Sequence, residues 1–312
     1  MKKGTRLFFL FTADLLLTAL ALCVFSLFHH VLPRSIGHLY GSTATPGEIA
    51  DWKEKFPDKF TDGRVIETDT SYRDDEVNIT LTTYVEDGVT YTVADLYLRR
   101  ITSLRTAMAG EEFATGVADS TLNLSRKAGA LFAVSGDYFG IRQRSIVIRN
   151  GEVYRKTPAH AYICVLYYDG TMETYTFGEF DVDRAIAGGA WQAWDFGPAL
   201  LDEKGAAVTD FDTGIAGENP RIGLGYYEPG HYAIVAVDGR QAHSRGMTLP
   251  EFAALFERLG CKTAYNLDGG NSAAMTWRGE MFSSPSKEKE GRDISDIIYL
   301  SPKRYQEGES TP

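Results

Sequence analysis

Over residues 78–98, "NITLTTYVEDGVTYTVADLYL", apolar and polar side chains alternate on either side of Asp87-Gly88. A period of two lays one face of an extended chain on a core, and Asp-Gly takes the positive φ of a tight turn. The stretch therefore predicts a β-hairpin. "SIVIRNGEVYR" around Asn150-Gly151 and "YICVLYYDGTMETYTF" around Asp169-Gly170 predict two more. Between the first and second of these, "GALFAVSGDYFG" reads as a buried strand that runs into a glycine-rich turn. The period lengthens at "MTLPEFAALFERLG". There Phe252, Leu255, Phe256 and Leu259 share one helical face, Thr248 and Glu251 have capping-box spacing, and Gly260 stops the helix. The apolar runs "HYAIVAVDGR", "KTAYNLDGG", "SAAMTW" and "DISDIIYL" supply further strands. This order predicts an α+β fold, a mixed β-sheet core with flanking helices and β-hairpins.

Residues 7–32, "LFFLFTADLLLTALALCVFSLFHHVL", break the alternation. The run is long enough to cross a bilayer as one N-terminal transmembrane helix. Its one acid, Asp14, falls near the cytoplasmic third, where a polar group costs less than at the centre. Lys2, Lys3 and Arg6 precede it, which puts the N-terminus in the cytoplasm and the rest of the chain outside. "HHVLPRS" offers no small-x-small cleavage site, and Cys23 follows Leu22 rather than a small residue. Both features favour an uncleaved signal-anchor over a cleaved signal peptide or a lipoprotein. The expected organisation is a cytoplasmic tip and anchor over 1–34, a polar stalk over 35–78 with a short helix near Ile49–Phe56, a folded domain over 79–302 and a disordered tail over 303–312. The expected location is the cell membrane, single-pass, with the C-terminal domain extracytoplasmic.

Charge narrows the partners. The 312-residue chain carries a net −10, and four of its basic groups lie within residues 1–34, so the domain is more acidic still. Phosphate-backbone binding needs clustered Lys and Arg, so nucleic acid is not an expected partner. Cys164 and Cys261 sit in apolar stretches, where two buried thiols and a disulfide both stay open. No C-x-x-C, G-x-S-x-G, Walker A, H-E-x-x-H or strand-borne G-x-G-x-x-G occurs. His160 and His231 stand alone and read as structural, and Asp74, Asp75 and Glu76 read as a solvated loop.

Three predicted strands end on an acid beside glycine: Asp137 in "SGDYFG", Asp238 in "DGR" and Asp268 in "NLDGGNS". A tight turn explains any one of them. If neighbouring strands run parallel, all three ends meet on one sheet edge, where ligand sites of α/β proteins form. Glycines there let backbone N–H groups approach a ligand. Arg221, Arg240 and Arg245 offer anion contacts near the same ends.

The motifs "FAVSGDYFG", "FGPALLDEKG", "NPRIGLG", "DGR…HSRGMTL" and "NLDGGNS" occur here in the order found in phosphodiester glycosidases, and over about residues 100–302 the chain resembles that family. The family includes the catalytic domain that uncovers mannose 6-phosphate by removing N-acetylglucosamine from a phosphodiester, and bacterial relatives associated with exopolysaccharide or cell wall. The resemblance implies a membrane-anchored extracytoplasmic hydrolase that cleaves a sugar-1-phosphate diester in a surface or cell-wall glycopolymer. The alternative is a non-catalytic polysaccharide-binding or exopolysaccharide-biosynthesis accessory protein using the same cleft. The expected catalytic carboxylates are Asp268, Asp137 and Asp238, since carboxylates stabilise or attack an oxocarbenium-like centre, or activate water. Arg221 and Arg240 are expected to grip the phosphate, with Ser135, His243, Ser244, Gly269, Gly270, Asn271 and Ser272 around the substrate. Two departures stand out: Asn271 where the family commonly has a third glycine, and Ser135 where it often has Asn. No motif calls for a cofactor, and a divalent cation held by Asp268 and its neighbours stays open.

Overall fold

A computed structural model describes residues 3–26, 34–35, 49–110, 113–159, 162–283 and 291–302. Its three larger sheets hold seven, five and five strands. In the seven-stranded sheet the order runs Thr263–Asn266, Arg221–Glu228, His231–Val237, Val89–Leu98, Val77–Glu86, Ser71–Arg73 and Ile66–Thr68. The second sheet centres on Phe132–Ser135, between Met275–Trp277 and Asp296–Leu300. The third contains Ser145–Arg149 and Ala190–Trp194 among its hairpins. Among the described residues these ladders are antiparallel, so the fold is α+β and mostly β.

The local signals act as expected. Val77–Glu86 and Val89–Leu98 pair in unbroken register from Val77↔Leu98 to Glu86↔Val89. The turn between them puts Asp87 at φ 50° and Gly88 at φ 73°, the geometry that matches the right-handed twist of a hairpin. Asn150 and Gly151 repeat it at 53° and 80°. The helix Leu249–Arg258 opens on a complete capping box between Thr248 and Glu251. Its Phe252 and Phe256 lie so close over "RIGLGY" that a Cβ on Gly223 would stand 2.7 Å from the Phe252 ring. Only glycine lets this helix seat on that strand.

The core has two main parts. On one side of the large sheet, Ile79, Leu96, Ile222 and Ile234 meet Phe132, Trp194 and Tyr265 from the neighbouring strands. On the other side, Val235 and Ala233 meet the helix through Phe252 and Phe256. Trp52 and Tyr72 also belong to the core, and Ile66–Thr68 and Ser71–Arg73 extend the large sheet. Much of the expected stalk over 35–78 is therefore folded into the domain. Over Ile49–Phe56, where a short helix was expected, residues 49–52 are irregular and 53–56 form a turn and a bend. Cys164 and Cys261 are buried free thiols.

The expected transmembrane helix finds no support among the described residues. The N-terminal helix spans Lys3–Ser26 and includes Lys3, Arg6 and Asp14. Among the described residues no helix is long and apolar enough to cross a membrane. Residues 27–33 and the tail 303–312 lie outside the described residues.

One buried ion network ties the second sheet to the third. Arg149, 1% exposed, donates from Nε to Asp296 Oδ2 at 2.7 Å and stands 3.5 Å from Asp137 Oδ2. Asp296 Oδ1 also accepts the Asp137 N–H at 2.8 Å. A buried charge that loses its partner is strongly destabilising. Asp296→Ala should lower unfolding free energy by about 3–5 kcal/mol in denaturant titration, whereas Asp62→Ala, which breaks an exposed pair with Lys53, should shift the midpoint little. Equal small shifts would show that the network carries no such weight.

Candidate active site

Strand Arg221–Glu228 runs antiparallel to both His231–Val237 and Thr263–Asn266. The latter two therefore deliver their C-terminal ends to the same edge, where Arg221 begins the strand between them. This replaces the adjacent parallel strands expected from the sequence. Asp137 comes to that edge from another sheet, at the end of Phe132–Ser135.

"LDGGNS" wraps the start of the central strand. Leu267 donates its N–H to Ile222 O at 2.8 Å, and Gly270 donates to Pro220 O at 2.9 Å. A Cβ at Gly269 would lie 2.6 Å from Pro220 O. Gly270 has φ 61°, and Gly270–Ser272 form one 3-10 turn. The turn and the site are thus one feature: the tight wrapping carries Asp268 to the wall of a cavity of about 360 Å³.

Asp268, Arg221, Arg240, Gly269, Gly270 and Asn271 line this cavity. So do Tyr138, Arg142, Phe196, Ile215, Asn219, Asn266 and Arg292, none of them singled out in the sequence. Asp268 is only 7% exposed. Burial pushes its carboxyl up to about 6; the buried Asp137 adds to the rise, while a hydrogen bond with Ser272 and the charges of Arg292 and Arg142 oppose it. Arg292 reaches Asp268 Oδ2 at 3.3 Å and Ser272 Oγ at 2.6 Å. Arg240 adopts φ 57°, unusual for a residue with a side chain. Its guanidinium donates to Asn271 Oδ1 at 2.9 Å and to Asn219 Oδ1 at 2.5 Å. Asn271, in place of the third glycine, thus orients a cavity arginine.

Several expected residues have other work. Asp137 does not line the cavity: its carboxylate accepts the N–H groups of Tyr138 and Asp195 and faces Arg149. Ser135 is fully buried and its Oγ accepts the Ala274 N–H at 3.3 Å. Asp238 lies outside the lining, with Oδ2 3.2 Å from His243 Nε2. Ser244 ties the same loop, donating to Asp238 O at 2.6 Å and accepting the Thr90 N–H at 3.0 Å. Ser272 is buried against Arg292. Arg221 lines the cavity but not as a free fork. Its Nε donates to Met247 O, and its Nη2 donates to Ile215 O and Gly217 O. Burial, with Arg240 nearby, lowers its pKa to about 10. Those bonds pin the loop that carries Ile215, one of the cavity walls.

Asn266 was legible in principle: it stands two residues before Asp268, and a period of two puts both on one side of a strand. Arg142 and Arg292 were not, because each arrives on a loop far away in sequence. Among the described residues no group of three His, Cys, Asp or Glu side chains is placed to hold a metal ion.

A buried carboxylate among four guanidiniums suits an anionic substrate that develops positive charge next to the carboxylate. A family model described as phosphodiester glycosidase matches residues 128–301. The chain belongs to the phosphodiester glycosidase family. Asp268 and the four cavity arginines lie inside the matched span. A SPbeta prophage-derived uncharacterized protein, YomE, of Bacillus subtilis (strain 168) is 28% identical over 202 residues, which cover 61% of this chain and 30% of that protein. The chain thus spans under a third of that relative's length. Among solved structures, the catalytic domain of zebrafish N-acetylglucosamine-1-phosphodiester alpha-N-acetylglucosaminidase, auto-inhibited by its pro-peptide, aligns with a TM-score of 0.59 at 20% identity. The alignment covers 73% of this chain and 83% of that one, and shows the shared fold.

The raised carboxyl of Asp268 has a stability consequence. Its folded pKa, about 6, lies above the ordinary 3.8, so folding favours the protonated form. Its contribution is fully present below about pH 4 and is lost as pH rises through about 6. Asp268→Asn, which stays neutral, should therefore raise Tm relative to the parent at pH 7.5 more than at pH 4. A difference in Tm that is flat with pH would refute the desolvated carboxylate.

Proposed function

We propose that this chain hydrolyses a glycosyl phosphodiester at the sugar C1–O bond. The observation that carries the reading is the buried Asp268 carboxylate in a wall otherwise dominated by Arg142, Arg221, Arg240 and Arg292. As C1–O breaks, positive charge develops at C1 and the bonding electrons leave with the phosphate oxygen. Ionised Asp268 stabilises or attacks that centre. The departing group is a phosphate monoester, which needs little protonation but does need cations. Arg240, Arg292 and Arg142 supply them, in forked geometry where a guanidinium meets phosphate oxygens. Water adds to C1 and its proton leaves through the site, giving the free sugar and the monoester.

N-acetylglucosamine 1-phosphodiesters are the first probes, because the zebrafish structural relative is named for that bond. The substrate in place is a surface or cell-wall glycopolymer, reached from a domain anchored outside the cytoplasm. Supporting that location are Lys2, Lys3 and Arg6 before the apolar run and the exposed Leu15, Leu16, Leu17, Leu20 and Leu22 of the N-terminal helix.

Asp268→Asn keeps size and hydrogen-bonding capacity and removes the charge. Its kcat should fall by about 10² to 10³ with KM little changed. Wild-type turnover by a folded Asn variant would eliminate Asp268 from the chemistry. Binding of the diester without turnover by the parent chain would favour the accessory, non-catalytic reading.

The wild-type kcat/KM should rise with pH through about 6, as Asp268 ionises. A profile that falls through the same range would mean that the protonated form is the active one. Protease added to intact cells should degrade the domain; full protection would rule out the outer location.

A further inference from the structure

A guanidinium can be held by carboxylates, which cancel its charge, or by amide oxygens, which fix its direction and leave the charge intact. Arg240 is held in the second way. Its Nη1 donates to Asn271 Oδ1 at 2.9 Å and its Nη2 to Asn219 Oδ1 at 2.5 Å. Among the described residues it makes no salt bridge, whereas Arg292 pairs with Asp268. Asn219 is itself turned the right way, because its Nδ2 donates to Gly217 O at 3.1 Å. The guanidinium also lies close over the glycine turn: a Cβ at Gly270 would stand 3.3 Å from Arg240 Nη2.

Asn271 holds a second arginine as well. Its backbone oxygen accepts the Arg292 N–H at 2.8 Å. One residue thus fixes the side chain of Arg240 and the backbone of Arg292. Glycine at position 271 would keep the bond to Arg292 and lose the bond to Arg240. The 3-10 turn over Gly270–Ser272 has no need of an amide side chain, so the Oδ1 contact serves the guanidinium and not the turn.

We propose that Asn271 is a specificity-determining residue that presets Arg240 for a phosphate dianion, so that the cavity holds the phosphate monoester left by the reaction more tightly than it holds the diester. The identity of that dianion rests on the hydrolase reading above. A diester carries one negative charge, and a monoester carries nearly two once the pH is well above about 6. Four guanidiniums line the cavity against one carboxylate, so the second charge adds attraction. An arginine already fixed in direction loses little freedom when the anion arrives. Departure of the monoester is then slow, and free phosphate competes for the same arginine.

The test is calorimetric titration of the full-length chain at pH 7.5 with inorganic phosphate, methyl phosphate and dimethyl phosphate. The parent should bind the first two at least about tenfold more tightly than the third. Asn271→Gly should weaken the two dianions about five- to tenfold and dimethyl phosphate by about threefold at most. Asn271→Asp keeps the size and gives Arg240 a carboxylate, so it should weaken the dianions more than the glycine variant does. Melting curves confirm that both variants fold. In turnover of an N-acetylglucosamine 1-phosphodiester, methyl phosphate should inhibit with a Ki that rises in Asn271→Gly by the same factor as its Kd. Equal affinity of the parent and Asn271→Gly for methyl phosphate would overturn the assignment and leave Asn271 a turn residue. Binding of inorganic phosphate without methyl phosphate would overturn retention of the product. Absence of turnover by a parent that binds methyl phosphate would overturn the hydrolase reading, and with it the identity of the dianion as product.

Discussion

The guanidinium of Arg149, buried between Asp296 and Asp137, holds the edge of the candidate site together. Desolvating three charges is costly, and the arrangement survives because each group is also hydrogen-bonded. Asp296 receives both Arg149 and the Asp137 N–H. Asp137 in turn accepts the N–H groups of Tyr138 and Asp195. Those bonds place Tyr138 on the cavity wall and position the strand end that leads into Phe196. Glycine is required beside the network, because a Cβ at Gly136 would stand 2.3 Å from Asp296 Oδ1. The motif "SGDYFG" is thus a structural joint between two sheets that also shapes the cavity.

The same network acts on Asp268 at a distance. The Asp268 N–H reaches Gly136 O at 3.4 Å, so the two acidic loops lie back to back. Asp137, enclosed behind, adds to the rise that burial imposes on Asp268. Guanidiniums in front oppose that rise. The outcome, a carboxyl near 6, leaves Asp268 largely ionised at neutral pH but poorly solvated. A poorly solvated anion beside fixed cations matches a reaction in which a glycosyl cation parts from a phosphate.

Much of the fold was legible because its signals are local. Asp87-Gly88, Asn150-Gly151 and the Thr248–Glu251 box each specify a turn or cap within a few residues, and each forms as written. The sequence also placed Asp238 and Asp268 on one edge, although through a strand antiparallel to both rather than through parallel neighbours. What it could not separate was a carboxylate facing a cavity from one facing a core. Asp137 and Asp268 both follow apolar strands and flank glycines, yet tertiary partners, the Asp195 N–H and the Arg149 guanidinium that Asp296 holds, turn Asp137 inward. Arg142 and Arg292 were missed for the related reason that their place depends on tertiary contacts with Tyr138, Ser272 and Asp268. The expected stalk was misread because the core residues Trp52 and Tyr72 stand isolated in polar sequence.

The central claim is that Asp268 serves a reaction at carbon and not at phosphorus. Both routes yield the same sugar and the same monoester, so product identity cannot separate them. Hydrolysis of an N-acetylglucosamine 1-phosphodiester in ¹⁸O-labelled water does. With Asp268 acting at C1, mass spectrometry should find the label in the sugar hydroxyl and none in the phosphate monoester. Label in the monoester would show attack at phosphorus and contradict the account.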